Sequence, residues 1–199
     1  GNLELWAQWV DEDAANKATV TFRANDHKGT ADKTQTITSA SASISGKLDA
    51  NTFTLKDWKF NGWNTQADGN GTPYVNEAVV TLTNGQNLEL FAQWIKVADD
   101  GSITVPGSDG KPGTTDDVTV KPNPDPGAGE DGKPKPNPDG TITVPEGGSV
   151  DTPTGEIELP EGGTVKPDGT IIIPDPTDPD KPGTEVDPAK PETPPTGTY

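Results

Sequence analysis

The sequence predicts a mainly β chain in two unequal parts. The first is a small α+β repeat domain with one short helical turn, and the second is a low-complexity spacer of weak β-solenoid or β-meander character. Three observations carry this. Before position 95, apolar and polar residues alternate at the period of a half-buried strand. All five Trp and four Phe fall before that position, whereas 20 of the 21 Pro lie beyond it. Beyond it, one short phrase recurs with isoleucine at its centre. At 28% hydrophobic residues the chain is too polar to be packed throughout, so the core is expected in the first part.

The elements follow in order. Val20, Phe22 and Ala24 alternate with Thr19, Thr21 and Arg23, a strand that should stop near Asn25, Asp26 and Gly29. A Thr/Ser/Ala-rich stretch containing Ile37 and Ile44 leads to Lys47–Phe53, where Leu48 and Phe53 flank Asp49 and Asn51; a single helical turn is expected there. Trp58 and Phe60 alternate with Lys59, and Gly62 lets the chain turn so that Trp63 points back to the core. Asp68, Gly69, Asn70 and Gly71 are a dense turn signal. Val80 and Leu82 make another strand, Asn84-Gly85 a tight connection, and Leu88, Leu90, Ala92 and Trp94 line one face of the last.

An internal repeat is visible in the same region. Asn2–Trp9 reads NLELWAQW and Asn87–Trp94 reads NLELFAQW, differing only at Trp6 and Phe91. Residues 1–9 are therefore expected to be the last strand of a preceding copy, 10–17 a linker, and 18–95 the complete repeat. The segments VTFRAND, KFNGWNTQADGNGTPY, VTLT and LELFAQW resemble the Listeria/Bacteroides repeat, the B-repeat family of the internalins and of many Gram-positive surface proteins. The resemblance covers 18–95 and the stub, and implies a small β-grasp-like sheet with one short helical segment. The sequence departs from it at His27-Lys28, where the family has Gly or other small turn residues.

From Asp100 the recurring phrase reads DGSITVP, DGTITVP, TGEIELP and DGTIIIP, interleaved with PEGGSV and PEGGTV. Three arrangements fit residues 139–174. Stacked like residues give a thin solenoid with Ile142, Ile157 and Ile171 in one ladder and Val150 and Val165 in another. Hairpin loops at PEGG, TPTG and KPDG give an antiparallel meander. Too little apolar burial leaves the segment disordered. Residues 96–138 are expected to be an extended Pro/Gly-rich linker, and 175–199 a disordered Pro-rich tail.

Charge narrows the partners. The net charge of −17 is concentrated beyond residue 95, which disfavours nucleic acid and anionic membrane surfaces. No apolar run is long enough to span a bilayer, so membrane insertion is not expected. With no Cys, thiolate chemistry is excluded. The one histidine, His27, sits in a loop without a nucleophile motif, and the many carboxylates lie among Pro and Gly with nothing to close over them; no catalytic residue is expected. Asp109, Asp116 and Asp117, around the glycines of SDGKPGTTDDV, are candidates for calcium, because hard cations take several oxygens brought together by tight turns. A solvated acidic turn is the plainer reading, and no other cofactor is expected. Asp68 and Asn70 read as turn formers.

The expected function is that of a non-catalytic repeat and spacer of an exported bacterial surface protein, projecting an adhesive or other region from the cell wall. Its first partners would be neighbouring repeats of the same protein. The alternative is an adhesive module for a host glycan or matrix protein, calcium-assisted or not, with Trp6 and Phe91 as the contact patch on the face opposite Leu88 and Leu90. The expected location is the extracellular cell surface, with export signal and anchor outside this fragment.

Overall fold

The structure, a computed structural model, describes residues 15–126, 131–153, 155–159, 162–175, 178 and 181–188. Strand β1 (Asn16–Arg23) buries Ala18, Val20 and Phe22 on alternate positions. The chain reverses through Asn25, His27 and Gly29, all at positive φ, and returns antiparallel as β2 (Lys33–Ser39). Next come β3 (Ser43–Lys47), β4 (Lys59–Asn64), β5 (Pro73–Tyr74), β6 (Val79–Thr83) and the 11-residue β7 (Asn87–Val97). β7 lies parallel to β1 and antiparallel to β4, giving the order β2-β1-β7-β4. The result is a mixed sheet with a central parallel pair flanked by antiparallel neighbours. β3 and β6 form a separate two-stranded antiparallel sheet over the same core.

The expected helical turn at Lys47–Phe53 is not seen, and no helix occurs among the described residues. The backbone donors there are taken elsewhere: the Leu48 N–H donates to Ala78 O (2.9 Å) and the Phe53 N–H to Asn51 Oδ1 (2.9 Å). These bonds hold the segment extended, which lets Leu48 and Phe53 both reach the core. In β4 the pairing with β7 slips between Phe60 and Trp63. Gly62, at φ +108°, takes up the extra residue. Phe60 and Trp63 thus face the core together, with ring centroids 4.8 Å apart, and Phe22 lies 4.9 Å from Trp63. Trp94 donates its indole N–H to Ala24 O (2.8 Å).

Beyond β7 the structure departs from the expected spacer. Segment 96–138 is not an extended linker: it contains β8 (Ile103–Val105), β9 (Val118–Lys121) and β10 (Lys135–Pro136). β11 (Ile142–Thr143), β12 (Ser149–Thr152), β13 (Gly155–Glu158), β14 (Thr164–Val165), β15 (Ile171–Ile173) and β16 (Thr184–Val186) follow. β8, β9, β12 and β13 extend the β7 edge of the repeat sheet; β10, β11, β14, β15 and β16 form a second, antiparallel sheet. Part of the expected Pro-rich tail is thereby ordered as an edge strand.

A second hydrophobic core results, made of Ile103, Val105, Val118, Val120, Ile142, Val144, Val150, Val165 and Ile171 together with Ile95 and Leu159. The solenoid ladders are not formed. Ile142 lies opposite Val165, and Val165 opposite Ile171, across antiparallel neighbours, while Ile157 pairs with Val150 in the other sheet. Of the expected meander, β12 pairs with β13 and β14 with β15, but β11 pairs with β14 and not with β12, so the chain changes sheets at the first PEGG segment.

The recurring DG(S/T) phrase proves to be a recurring turn. At Ala98–Ser102, Asn137–Thr141 and Lys166–Thr170 the first N–H donates to the last carbonyl (2.9, 2.8 and 2.8 Å), and the glycine N–H donates back to the first carbonyl. The aspartates, Asp100, Asp139 and Asp168, accept the N–H two residues on. Gly101, Gly140 and Gly169 sit at φ +91°, +90° and +82°, which explains why glycine recurs there.

Candidate functional site

The expected contact patch lies on the outer face of β7. Strand alternation buries Leu88, Leu90 and Ala92 and turns Glu89 and Phe91 outward, where Phe91 is half-buried. Parallel register sets Arg23 beside Phe91, with the guanidinium carbon 5.7 Å from the ring centroid. Arg23 also pairs with Asp32 (2.7 Å) and Glu89 (2.5 Å). The hydrogen bond that Arg23 donates to Glu89, then the charges of Asp32 and Glu89, raise the Arg23 pKa above its ordinary value. Arg23, Asp32 and Glu89 were not expected as part of this patch. The register between the first and last strands, which brings them together, is not written in either strand alone. Trp6 lies outside the described residues.

The calcium candidates converge in the loop between β8 and β9. Asp116 Oδ2 accepts the Ser108 hydroxyl (3.0 Å) and the Asp109 N–H (2.8 Å); Asp117 accepts the N–H groups of Gly113 (3.0 Å) and Thr114 (3.3 Å). Asp109 Oδ1 accepts the Lys111 N–H (2.7 Å), and the Thr114 hydroxyl donates to Asp116 Oδ1 (2.6 Å). The carboxylates therefore shape the loop, and among the described residues no group of three or more His, Cys, Asp or Glu is arranged to hold a metal ion. Burial pushes Asp117 above the usual carboxylate range, against its two N–H donors and with help from the charges of Asp116 and Asp109. Asp116 goes the other way: burial would raise it, but the hydrogen bonds from Thr114, the Asp109 N–H and Ser108 together hold it below.

Residues 64–72 build a loop that meets the segments around Gly110 and Pro167. Buried Asn64 ties it internally, donating to Gly69 O (2.8 Å) and accepting the Gln66 N–H (3.0 Å). Asn25 donates to Ala67 O (2.8 Å), and Gln93, only 5% exposed, donates to Gln66 O (3.3 Å). Asp68 and Asn70 form the expected turn, the Asn70 N–H donating to Asp68 Oδ1 (3.0 Å). They also do what the sequence did not suggest. Asn70 Nδ2 donates to Asp168 Oδ2 (2.8 Å) of the second lobe, and His27 Nε2 lies 3.3 Å from Gly110 O. His27 is thus a junction residue.

A cleft of about 350 Å³ opens beside the repeat core, lined among others by Phe22, Lys33, Asp49, Asn51, Phe53 and Trp63. Lys33 places its ammonium 4.7 Å from the Phe53 ring centroid. The Trp63 indole N–H is buried without a hydrogen-bond partner among the described residues. The cleft's aromatic floor belongs to the core, and Lys33, Thr34, Asp49, Asn51 and Thr52 form its polar rim.

Comparison with family models, with curated proteins and with solved structures finds no match for this chain.

Proposed function

We propose that this chain is a non-catalytic structural segment of an exported bacterial surface protein, a repeat of the Listeria/Bacteroides type joined to a folded β spacer. Continuity of β7 is the observation that carries this reading. One strand buries Leu88, Leu90, Ala92 and Trp94 in the repeat core and Ile95 in the second core. Tension applied along it passes from one unit to the next through sheet hydrogen bonds instead of through a flexible hinge. The tandem stub at residues 2–9 supports placement in a repeat array, and the acidic surface of the second lobe suits a solvated, non-adhesive spacer. The spacer acts as a stiff element, not as an extended tail.

A second reading, an adhesive module for a host glycan or matrix protein, is favoured by one observation: half-buried Phe91 beside Arg23 on the outer sheet face. A binding screen of the whole chain against glycans and matrix proteins, with and without calcium, separates the two. The structural reading expects no saturable binding. Saturable binding lost in Phe91→Ala would establish the adhesive one.

A further inference from the structure

We infer that Asn70 is a site of spontaneous deamidation, and that its conversion to aspartate or isoaspartate loosens the junction between the repeat and the second lobe. In this chemistry the backbone nitrogen of the following residue, on losing its proton, attacks the asparagine Cγ. The Cγ–Nδ2 bond breaks, ammonia leaves, and a succinimide forms; water then opens either carbonyl to a carboxylate. The net exchange is water in and ammonia out. Glycine in the following position favours it, because no Cβ shields the nitrogen.

The sequence contains three Asn-Gly pairs, Asn61-Gly62, Asn70-Gly71 and Asn84-Gly85. The structure distinguishes them. Asn61-Gly62 lies in the bulge of β4, half-buried and held between Phe60 and Trp63, which both pair with β7. At Asn84-Gly85 both reacting groups are tied to Lys17: Gly85 N–H donates to its carbonyl (2.8 Å), and Asn84 Oδ1 accepts its N–H (2.9 Å). Asn70-Gly71 lies in a turn outside any strand, Asn70 is exposed, and the Gly71 N–H donates to no group among the described residues. A Cβ at position 71 would meet Thr65 Oγ1 at 2.2 Å and Asn64 Oδ1 at 2.6 Å, so the fold itself retains glycine there.

The consequence follows from what the amide holds. Asn70 Nδ2 donates to Asp168 Oδ2 (2.8 Å) and to Asp68 Oδ2 (3.3 Å). Conversion removes the donor and sets a third negative charge against two carboxylates. A link across the junction becomes a repulsion.

The test has two arms, both on the full chain. Peptide mapping after incubation of the folded protein at mildly alkaline pH should find aspartate and isoaspartate at position 70 accumulating several-fold faster than at 61 or 84. Equal or faster conversion at Asn84 or Asn61 would overturn the assignment. Hydrogen exchange then compares Asn70→Asp, the product, with Asn70→Ser, which loses the amide without adding charge. Amides at 66–71, 107–113 and 166–169 should exchange several-fold faster in Asn70→Asp than in Asn70→Ser. Equal exchange would overturn the charge effect.

Discussion

Trp94 and Ile95 are neighbours in one strand, yet Trp94 is buried in the repeat core and Ile95 in the second core. Successive side chains of a strand point to opposite faces, so β7 carries one core on each side of its C-terminal half. Ile95→Ala should cost about 2 to 5 kcal/mol. The loss should be felt first in the second lobe: by hydrogen exchange, β8 and β9 should lose protection before β1. Equal loss in β1 would show the two cores to unfold as one unit.

The two buried indoles of the repeat make a matched pair. Trp94 donates to Ala24 O, whereas the Trp63 N–H has no acceptor among the described residues. Truncation of either to Ala should cost about 3 to 5 kcal/mol. Replacement by Phe should separate them, because only Trp94→Phe leaves a buried carbonyl unpaired, at about 1 to 3 kcal/mol. Chemical denaturation of both Phe variants checks this, and the idea fails if Trp63→Phe is the more damaging.

Two glycines report on the junction. Gly69 and Gly85 have nearly the same backbone, φ +82° and +76°. A Cβ at 85 meets open space, while one at 69 would lie 2.5 Å from Pro167 Cβ and 2.9 Å from Gln93 Oε1. Gly85→Ala should therefore cost only the left-handed backbone penalty, about 1 kcal/mol. Gly69→Ala should cost distinctly more, and thermal melts that rank them equally would mean that Pro167 yields freely.

The acidic loop predicts a pH signature. Asp117 is raised in the folded state, so its contribution is fully present below its unfolded pKa and is lost as pH rises through the folded value. Asp116 is lowered, so its contribution is present above its unfolded pKa and is lost as pH falls through the folded value. At neutral pH Asp117→Asn should stabilise the chain and Asp116→Asn destabilise it, with both effects fading in acid. Melts across pH 3 to 7, roughly the carboxylate range, test the signs. Since these carboxylates already accept loop donors, calcium and chelator should leave the melting temperature alike; a calcium-induced rise abolished by Asp116→Asn would restore the loop as a cation site.

Local patterns made much of the repeat legible. Val20 and Phe22 alternate as expected, Gly62 turns Trp63 inward, and Asp68 with Asn70 closes a turn. The helical turn at 47–53 failed because Ala78 O and Asn51 Oδ1 take the N–H groups that a helix would have used, and Ala78 is 30 residues away from Leu48. The candidate sites were less legible. Phe91 follows from alternation, but its partner Arg23, and Asp32 bound to Arg23, depend on pairing with β1 and on the turn after it.

By itself the sequence determined the alternation of β1, β6 and β7 and the turns at Asp68–Gly71 and Asn84-Gly85, since period-two alternation and Asp-Gly or Asn-Gly steps act within a few residues. It also placed every tryptophan and phenylalanine in the first part. Only the tertiary structure decided that the Val and Ile of the second part form a core of their own. Val120 is buried because it lies opposite Val150 and Ile103, 30 and 17 residues away, and neither segment carries an aromatic to announce it. Short β-branched strands separated by Pro and Gly have no local reason to choose one partner over another. The choice comes from burying them all at once, with Ile95 at the end of β7 as the first of them.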